Sequence, residues 1–320
     1  SSGGDVILAT SVVEALKNSF PDAEIDFLVK EEYAPILYEN PAITRIIHLK
    51  KSERGLYPFV IFVSSLRKNN YNLIVDLHKN FRSFMIKSML SDTKKVVTKK
   101  NTLNRFILVR FKKRIKEPAR VVELHLESLK QIGINSLDYR PKLYLSEMEI
   151  AKATALFPFD SLVIGIHPFA RWKNKEWGLK RYLELARRFV STGAEVIFFG
   201  KCNSVLKGVK VVEPKDWREL MMFIYRCDLF IGNDSAPVHI ANAFNIPVIA
   251  IFGPTSPEFG FAPCGDNVRI MYKGVKCSPC SLHGEKKCKN ELVCMSSISV
   301  DDVFKKGVEL LNGFKKSRFH

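Results

Sequence analysis

The chain has 320 residues, 46% of them hydrophobic, and a formal net charge of +17. That length fits two domains of ordinary size with large buried cores, and the charge calls for an anionic partner: nucleic acid, anionic lipid or a phosphorylated substrate. No run of eighteen apolar residues occurs, which argues against a membrane-spanning helix, and no secretory signal opens the sequence.

In chain order, SSGGD leads into a helix predicted over 5–19. The first half then reads as strands 23–29, 43–49, 72–77 and 94–99, with helices over 31–39, 56–68, 81–90, 102–113 and 121–133. The second half reads as strands 161–168, 195–200, 209–214, 229–234, 247–253 and 268–273, with helices over 180–193, 217–227, 237–245 and 300–314. Strands that are apolar on both faces and alternate with helices imply parallel sheets covered on both sides. The pattern occurs twice and changes over near 140–160. The expected fold class is therefore α/β, two Rossmann-like doubly wound domains, 1–150 and 151–320, facing a cleft. Ligands of such sheets lie beyond the carboxyl ends of the strands, so chemistry is sought in those loops.

Three loops stand out. In Ser1-Ser2-Gly3-Gly4-Asp5, neither G-x-G-x-x-G nor a Walker Lys-Ser/Thr is present, and an acid at Asp5 would repel a phosphate laid against it. Asp5 reads either as a helix cap or as a general base. The loop IHPFARWKNKEWG (166–178) carries Arg171, Lys173 and Lys175, placed to hold a diphosphate or simply to be solvated. In NDSAPVHIANA (233–243), Asp234 and Ser235 are good cap residues and Pro237 fits a first helical turn. That helix N-terminus suits an anionic ligand. His239 reads either as a core histidine or as pointing to the same ligand.

Two further features call for a reading. Between Lys94 and Arg120 lie eleven basic residues (94, 95, 99, 100, 105, 110, 112, 113, 114, 116 and 120) against one acid, Glu117. Leu103, Phe106, Ile107, Val109 and Phe111 interleave with them, so the stretch reads either as a solvated basic face or as a basic amphipathic helix on an anionic membrane surface. Cys277, Cys280, Cys288 and Cys294 follow a C-x2-C start and could hold a structural zinc, with His283 in competition, or pack as reduced thiols. Cys202, Cys227 and Cys264 are scattered.

Taken in order, the three loops resemble the ADP-heptose:lipopolysaccharide heptosyltransferase family. S-S-x-G-D appears as Ser1 to Asp5, K-x-W as Lys175-Glu176-Trp177, and D-[ST]-G-x-x-H as Asp234-Ser235-Ala236-Pro237-Val238-His239, followed by GPTSP. Ala236 stands where Gly is commoner. The resemblance implies a GT-B architecture, with an amino-terminal acceptor domain and a carboxyl-terminal nucleotide-sugar domain. It also implies a strand ahead of Ser1 that this sequence lacks. It implies an inverting, metal-independent transfer of heptose from ADP-heptose to the lipopolysaccharide inner core, with no cofactor, Asp5 as base, and Lys175, Asp234, Ser235, Ala236 and His239 on the donor. Gly4 leaves room for the acceptor, and Arg82 in the HKNFRS loop is a further acceptor contact. The same resemblance implies a cytoplasmic protein at the inner face of the membrane, with the basic stretch 94–120 meeting the anionic acceptor and lipid. A same-family enzyme for another nucleotide sugar, or a sugar-nucleotide epimerase, is the rival reading. No RRM, KH or helix-turn-helix signature supports a nucleic-acid partner.

Overall fold

The computed structural model describes residues 2–114, 118–136, 138, 140–156, 162–201 and 207–318, the last five of these as backbone only. Ser1, Lys116, Glu117 and Cys202 lie outside the described residues. Two compact units emerge, one of residues 1–100 with 121–144, the other of 101–120 with 145–320. Residues 101–120, read from the sequence as part of the first half, thus group with the second unit.

The first unit opens on α1 (Gly3–Ser19), followed by β1 (Asp26–Lys30), β2 (Arg45–Leu49), α2 (Leu56–Leu66), β3 (Leu73–Asp76), α3 (Phe81–Met89) and β4 (Lys94–Val97). The chain then enters α4 (Thr102–Phe111) of the second unit and returns as α5 (Val121–Leu129). β1 pairs with β2 and β3 with β4, all parallel, as two separate two-stranded sheets rather than one continuous sheet; among the described residues no strand joins them. α1 is buried along most of its length and packs on α5. The helix expected over 31–39 is a 3-10 turn, Glu31–Leu37, with Pro35 inside it, whose ring would press on the carbonyl four residues back in an α-helix. The helices expected over 56–68 and 121–133 tighten into 3-10 turns at their ends and stop at left-handed Asn70 and Gly133.

The second unit continues with α6 (Glu147–Leu156), β5 (Val163–His167), α7 (Leu179–Ser191), β6 (Glu195–Phe199), β7 (Val209–Val212), α8 (Trp217–Tyr225), β8 (Leu229–Asn233), α9 (Ala236–Ala243), β9 (Val248–Ile251), β10 (Val268–Met271), α10 (Val293–Ser296) and α11 (Val300–Arg318). Its six strands form one parallel sheet in the order β10-β9-β8-β5-β6-β7. β5, β8 and β9 are apolar and buried, as strands covered on both faces must be. The core gathers Ile164, Ile166, Trp177, Phe189, Phe198 and Ile231.

The strand order reverses between β5 and β8, where His167 lies opposite Gly232. Loops leaving those two strands therefore emerge side by side, at the point where open α/β sheets bind ligands. They are the loops 168–178 and 234–235.

α6 falls in the stretch the sequence left as the change between halves. Its start has a capping box that was readable: the Ser146 N–H donates to Glu149 Oε2 at 2.8 Å, and the Glu149 N–H to Ser146 Oγ at 3.3 Å. The second carboxylate oxygen of Glu149 accepts from Arg218 Nε at 2.8 Å, tying α6 to α8.

Candidate active site

Each unit brings its own set of reactive groups to the carboxyl ends of its strands. In the first, α1 begins at Gly3, so Gly3 and Gly4 are its first helical residues and not a preceding turn. The cap is Ser2, and Asp5 closes a reciprocal capping box from the third helical position. Asp5 Oδ2 accepts from the Ser2 N–H at 2.7 Å and from Ser2 Oγ at 3.0 Å. The Asp5 N–H returns a bond to Ser2 Oγ at 3.4 Å. Both bonds to the carboxylate fall on Oδ2; among the described residues Oδ1 takes no protein hydrogen bond. The two readings of Asp5, cap or base, thus fall on different oxygens of one carboxylate.

The loop after β3 approaches the same charge. Asp76 is buried, ion-paired with Lys87 at 2.6 Å, and accepts the N–H groups of His78 and Lys79 at 2.9 and 2.7 Å. Burial opposes its charge, but Lys87 and the N–H donors outweigh that and hold its carboxyl below the ordinary value. This pins the turn that displays His78. Crowding of the ring lowers the His78 pKa and Lys100 adds to the effect, while the charges of Asp5 and Asp76 oppose it. His78 lies close enough to Asp5 to feel its charge. Sequence reasoning passed over His78, although it stands in the strand-end loop from which Arg82 was chosen. Arg82 Nη2 itself donates to the Arg54 carbonyl at 3.1 Å, bracing the start of α2.

In the second unit, the Lys175-Glu176-Trp177 element divides its work. Trp177 is wholly buried, and its indole N–H donates to the Ile298 carbonyl at 3.0 Å. With that anchor fixed, Lys175 Nζ reaches Asp234 Oδ2 at 2.6 Å across the switch point, and Thr255 Oγ1 donates to the same oxygen at 2.8 Å. Lys175 and Asp234, chosen separately from the sequence, are thus a direct ion pair. Asp234 does not cap α9.

Asn233 locks the two loops together. It is fully buried; its Oδ1 accepts from the Trp177 N–H at 3.0 Å and from the Tyr182 hydroxyl at 2.9 Å, and its Nδ2 donates to the Pro168 carbonyl at 2.8 Å. Asn233→Ala would leave three buried polar groups without partners, each costing about 1–3 kcal/mol. We expect it to lower stability by about 3 kcal/mol or more, read as a fall in the denaturant midpoint.

Ser235 occupies the N-cap of α9 in extended conformation, yet its hydroxyl donates back to the Asn233 carbonyl at 3.2 Å and makes no cap bond. Pro237 has no N–H and the Val238 N–H donates to the Ser235 carbonyl at 3.3 Å, so among the described residues the Ala236 N–H is the first-turn donor left for an anion. Ala236 opens the helix, Pro237 follows, and His239 lies in the same turn but is buried, 4% exposed.

The cysteine segment backs this site. The Cys280 N–H donates to the Pro254 carbonyl at 2.8 Å, one residue before Thr255. Gly284, at φ +85°, lies so close to Lys175 that a Cβ there would come within 2.7 Å of Lys175 Cγ. The four clustered cysteines are free thiols. Burial raises the Cys280 pKa, and burial with the neighbouring cysteines raises that of Cys294 to about 11. Among the described residues no group of three or more His, Cys, Asp or Glu is arranged to hold a metal ion.

The basic stretch 94–120 is not a single surface helix. Lys94 and Lys95 lie on β4, and among the described residues of the stretch only Thr102–Phe111 is helical. Arg105 stacks over Phe261 at 4.7 Å, Lys112 donates to the Pro279 carbonyl, and Arg114 pairs with Glu258. These three cations hold α4 and the residues after it to the second unit. Lys99, Lys100, Arg110 and Lys113 remain exposed.

Residues 60–292 match the profile of glycosyltransferase family 9 (heptosyltransferase). The chain belongs to this family. Among its relatives, lipopolysaccharide heptosyltransferase 3 of Escherichia coli is 28% identical over 300 residues, covering 85% of this chain and 86% of the relative. Lipopolysaccharide heptosyltransferase 1 of Campylobacter coli is 26% identical over 343 residues, covering 97% and 96%. Among solved structures, a family 9 glycosyltransferase of Veillonella parvula superposes with a TM-score of 0.77 at 19% identity, covering 98% of this chain and 95% of that one. E. coli ADP-heptose heptosyltransferase II gives 0.72 at 20% identity, covering 98% and 97%. The GT-B fold class read from the sequence holds for this family 9 member. No helix among the described residues is long and apolar enough to cross a membrane.

Proposed function

We propose that this chain transfers heptose from ADP-heptose to the inner core of lipopolysaccharide with inversion at the anomeric carbon. The observation that carries this reading is the placing of Lys175, Asp234 and the uncapped start of α9 together at the sheet's switch point, in a chain of family 9. The first unit holds the acceptor near Gly4, Asp5 and Arg82. An acceptor hydroxyl attacks the anomeric carbon and gives its proton to Asp5 Oδ1, while the bond from that carbon to the β-phosphate oxygen breaks and ADP leaves from the opposite face. The second unit holds the donor. Lys175 and the Ala236 N–H at the start of α9 meet the charge that grows on the diphosphate; such preorganised donors are often the largest contribution to rate. Asp234 and Thr255 orient the Lys175 ammonium, and His239 supports the turn that offers the Ala236 N–H. These fixed cationic groups meet the charge a metal would otherwise neutralise, so turnover is expected to persist in EDTA. The proposed acceptor is lipid-borne, so the proposed reaction takes place at a membrane surface, the cytoplasmic face in this reading.

The testing experiment is a donor panel, ADP-heptose against UDP- and GDP-sugars, with Kdo–lipid A and heptosylated acceptors and products read by mass spectrometry. Transfer from ADP-heptose supports the reading. Turnover with a UDP-sugar alone overturns the donor assignment in favour of another transferase of the same family, and interconversion of a nucleotide sugar without acceptor would mark an epimerase.

A further inference from the structure

The helix α2 is apolar nearly all the way round. Phe59, Val63 and Leu66, at helical spacing, face the core, where Phe59 and Val63 pack with Leu49. Its other side carries Leu56, Tyr57 and Ile61, which are 67%, 76% and 54% exposed. α3, packed beside it, repeats the arrangement: Met85, Ile86 and Met89 pack on that same core, while Phe81 and Phe84 are 68% and 62% exposed. A soluble helix ordinarily turns polar residues outward. Five large apolar side chains on two adjacent helices form a surface that needs an occupant.

Charge identifies the occupant. Between residues 50 and 92 the chain has eight basic residues, Lys50, Lys51, Arg54, Arg67, Lys68, Lys79, Arg82 and Lys87, against three acids, Glu53, Asp76 and Asp92. Asp76 is buried against Lys87, Arg54 pairs with Glu32 from outside that span, and Glu53 Oε2 accepts from the Lys50 N–H at 2.8 Å. Lys50, Lys51, Lys68 and Lys79 are exposed. Apolar side chains rimmed by lysines match a bilayer interface carrying negative headgroups. The position agrees, because α3 leaves the loop that displays His78 within the electrostatic reach of Asp5.

We propose that the outward face of α2 and α3, with Leu56, Tyr57, Ile61, Phe81 and Phe84 rimmed by Lys50, Lys51 and Lys79, lies on an anionic phospholipid surface. The aromatic and aliphatic side chains enter the headgroup layer while the lysines meet the lipid phosphates. The inference rests on the membrane contact proposed above but not on the donor or the chemistry. A lipid-anchored acceptor would thereby be delivered to the edge of the unit that carries Asp5, its acyl chains still in the bilayer.

The test is flotation of the full chain with phosphatidylcholine vesicles, with and without phosphatidylglycerol. The expected result is binding to the anionic vesicles that weakens as salt is raised. Tyr57→Ser/Ile61→Ser should lower vesicle binding by at least about tenfold, since both side chains lose apolar area to bury. Its thermal unfolding should stay near that of the parent, because neither residue packs in the core. Transfer to a delipidated acceptor should be unchanged, while transfer to acceptor in vesicles falls. Failure of the parent chain to bind anionic vesicles overturns the proposal, as does binding that the double substitution leaves intact. A parent dimer that the substitution converts to monomer, with vesicle binding unaltered, would assign the face to a second copy instead. If vesicle binding follows expectation and the donor panel gives no heptose transfer, the reaction reading fails and the membrane face stands.

Discussion

Asp5→Asn is expected to lower kcat by about 10²–10⁴, the range a positioned general base supplies, while the protein folds and binds ADP much as before. The capping box explains why the two effects separate. The structural bonds of the carboxylate all end on Oδ2, which accepts from the Ser2 N–H and hydroxyl. An asparagine can present its carbonyl oxygen to the same donors, so the first turn of α1 keeps its cap. What it loses there is the charge at a helix N-terminus, worth about 0.3–1 kcal/mol. Oδ1, which the described protein groups leave uncommitted, becomes an amide nitrogen that cannot take a proton. If Asp5 were only a cap, Asn would leave turnover near that of the parent, and wild-type-like kcat would refute the base assignment. Asp5→Ala makes the contrast: it removes cap and base together and should also cost about 1 kcal/mol of stability. The measurement is kcat at saturating donor and acceptor, alongside thermal unfolding and ADP calorimetry.

The sequence carried the strands and most of the helices because their signals are local. Apolar runs such as VIGIH and LFIGN declare buried parallel strands, and each lies within a residue or two of its observed bounds. It also pointed to three loops, two of them following strands β5 and β8 at the switch point, while SSGGD is the cap and first turn of α1. What it could not carry was which side chains meet. Lys175 and Asp234 are 59 residues apart in the chain and become an ion pair only because the strand order reverses between β5 and β8. Ser235 was legible as a cap, but the backward turn of its hydroxyl depends on the Asn233 carbonyl beside it. The basic stretch 94–120 misled for a related reason. A charge count does not reveal that Arg105, Lys112 and Arg114 find partners at Phe261, Pro279 and Glu258, more than 140 residues away in the chain. His78 gave no motif at all, and its place near Asp5 comes from the turn that Asp76 pins.

Lys175→Ala is expected to weaken ADP binding and to lower kcat by about 10²–10³, the size of losing one preorganised donor to a developing charge. The ion pair makes this more than the loss of a cation. Without Lys175 the Asp234 carboxylate keeps only the Thr255 hydroxyl among the partners described at that oxygen, and an uncompensated anion then faces an incoming diphosphate. Part of the damage is therefore repulsion, and adding Asp234→Asn to Lys175→Ala should recover some ADP affinity while leaving kcat low. A purely structural ion pair would show the opposite balance: the double variant would restore stability and leave donor affinity where the single variant had put it. Gly284→Ala probes the same ammonium without touching its charge. The new methyl would press on the Lys175 stem from a backbone position at φ +85°, strained for any other residue. Displacing a positioned group by about 1 Å can cost 10² in rate, so a loss of kcat with Lys175 still present would show that its placement, and not only its charge, is what the donor requires. An effect of either variant confined to acceptor KM would remove Lys175 from the donor site.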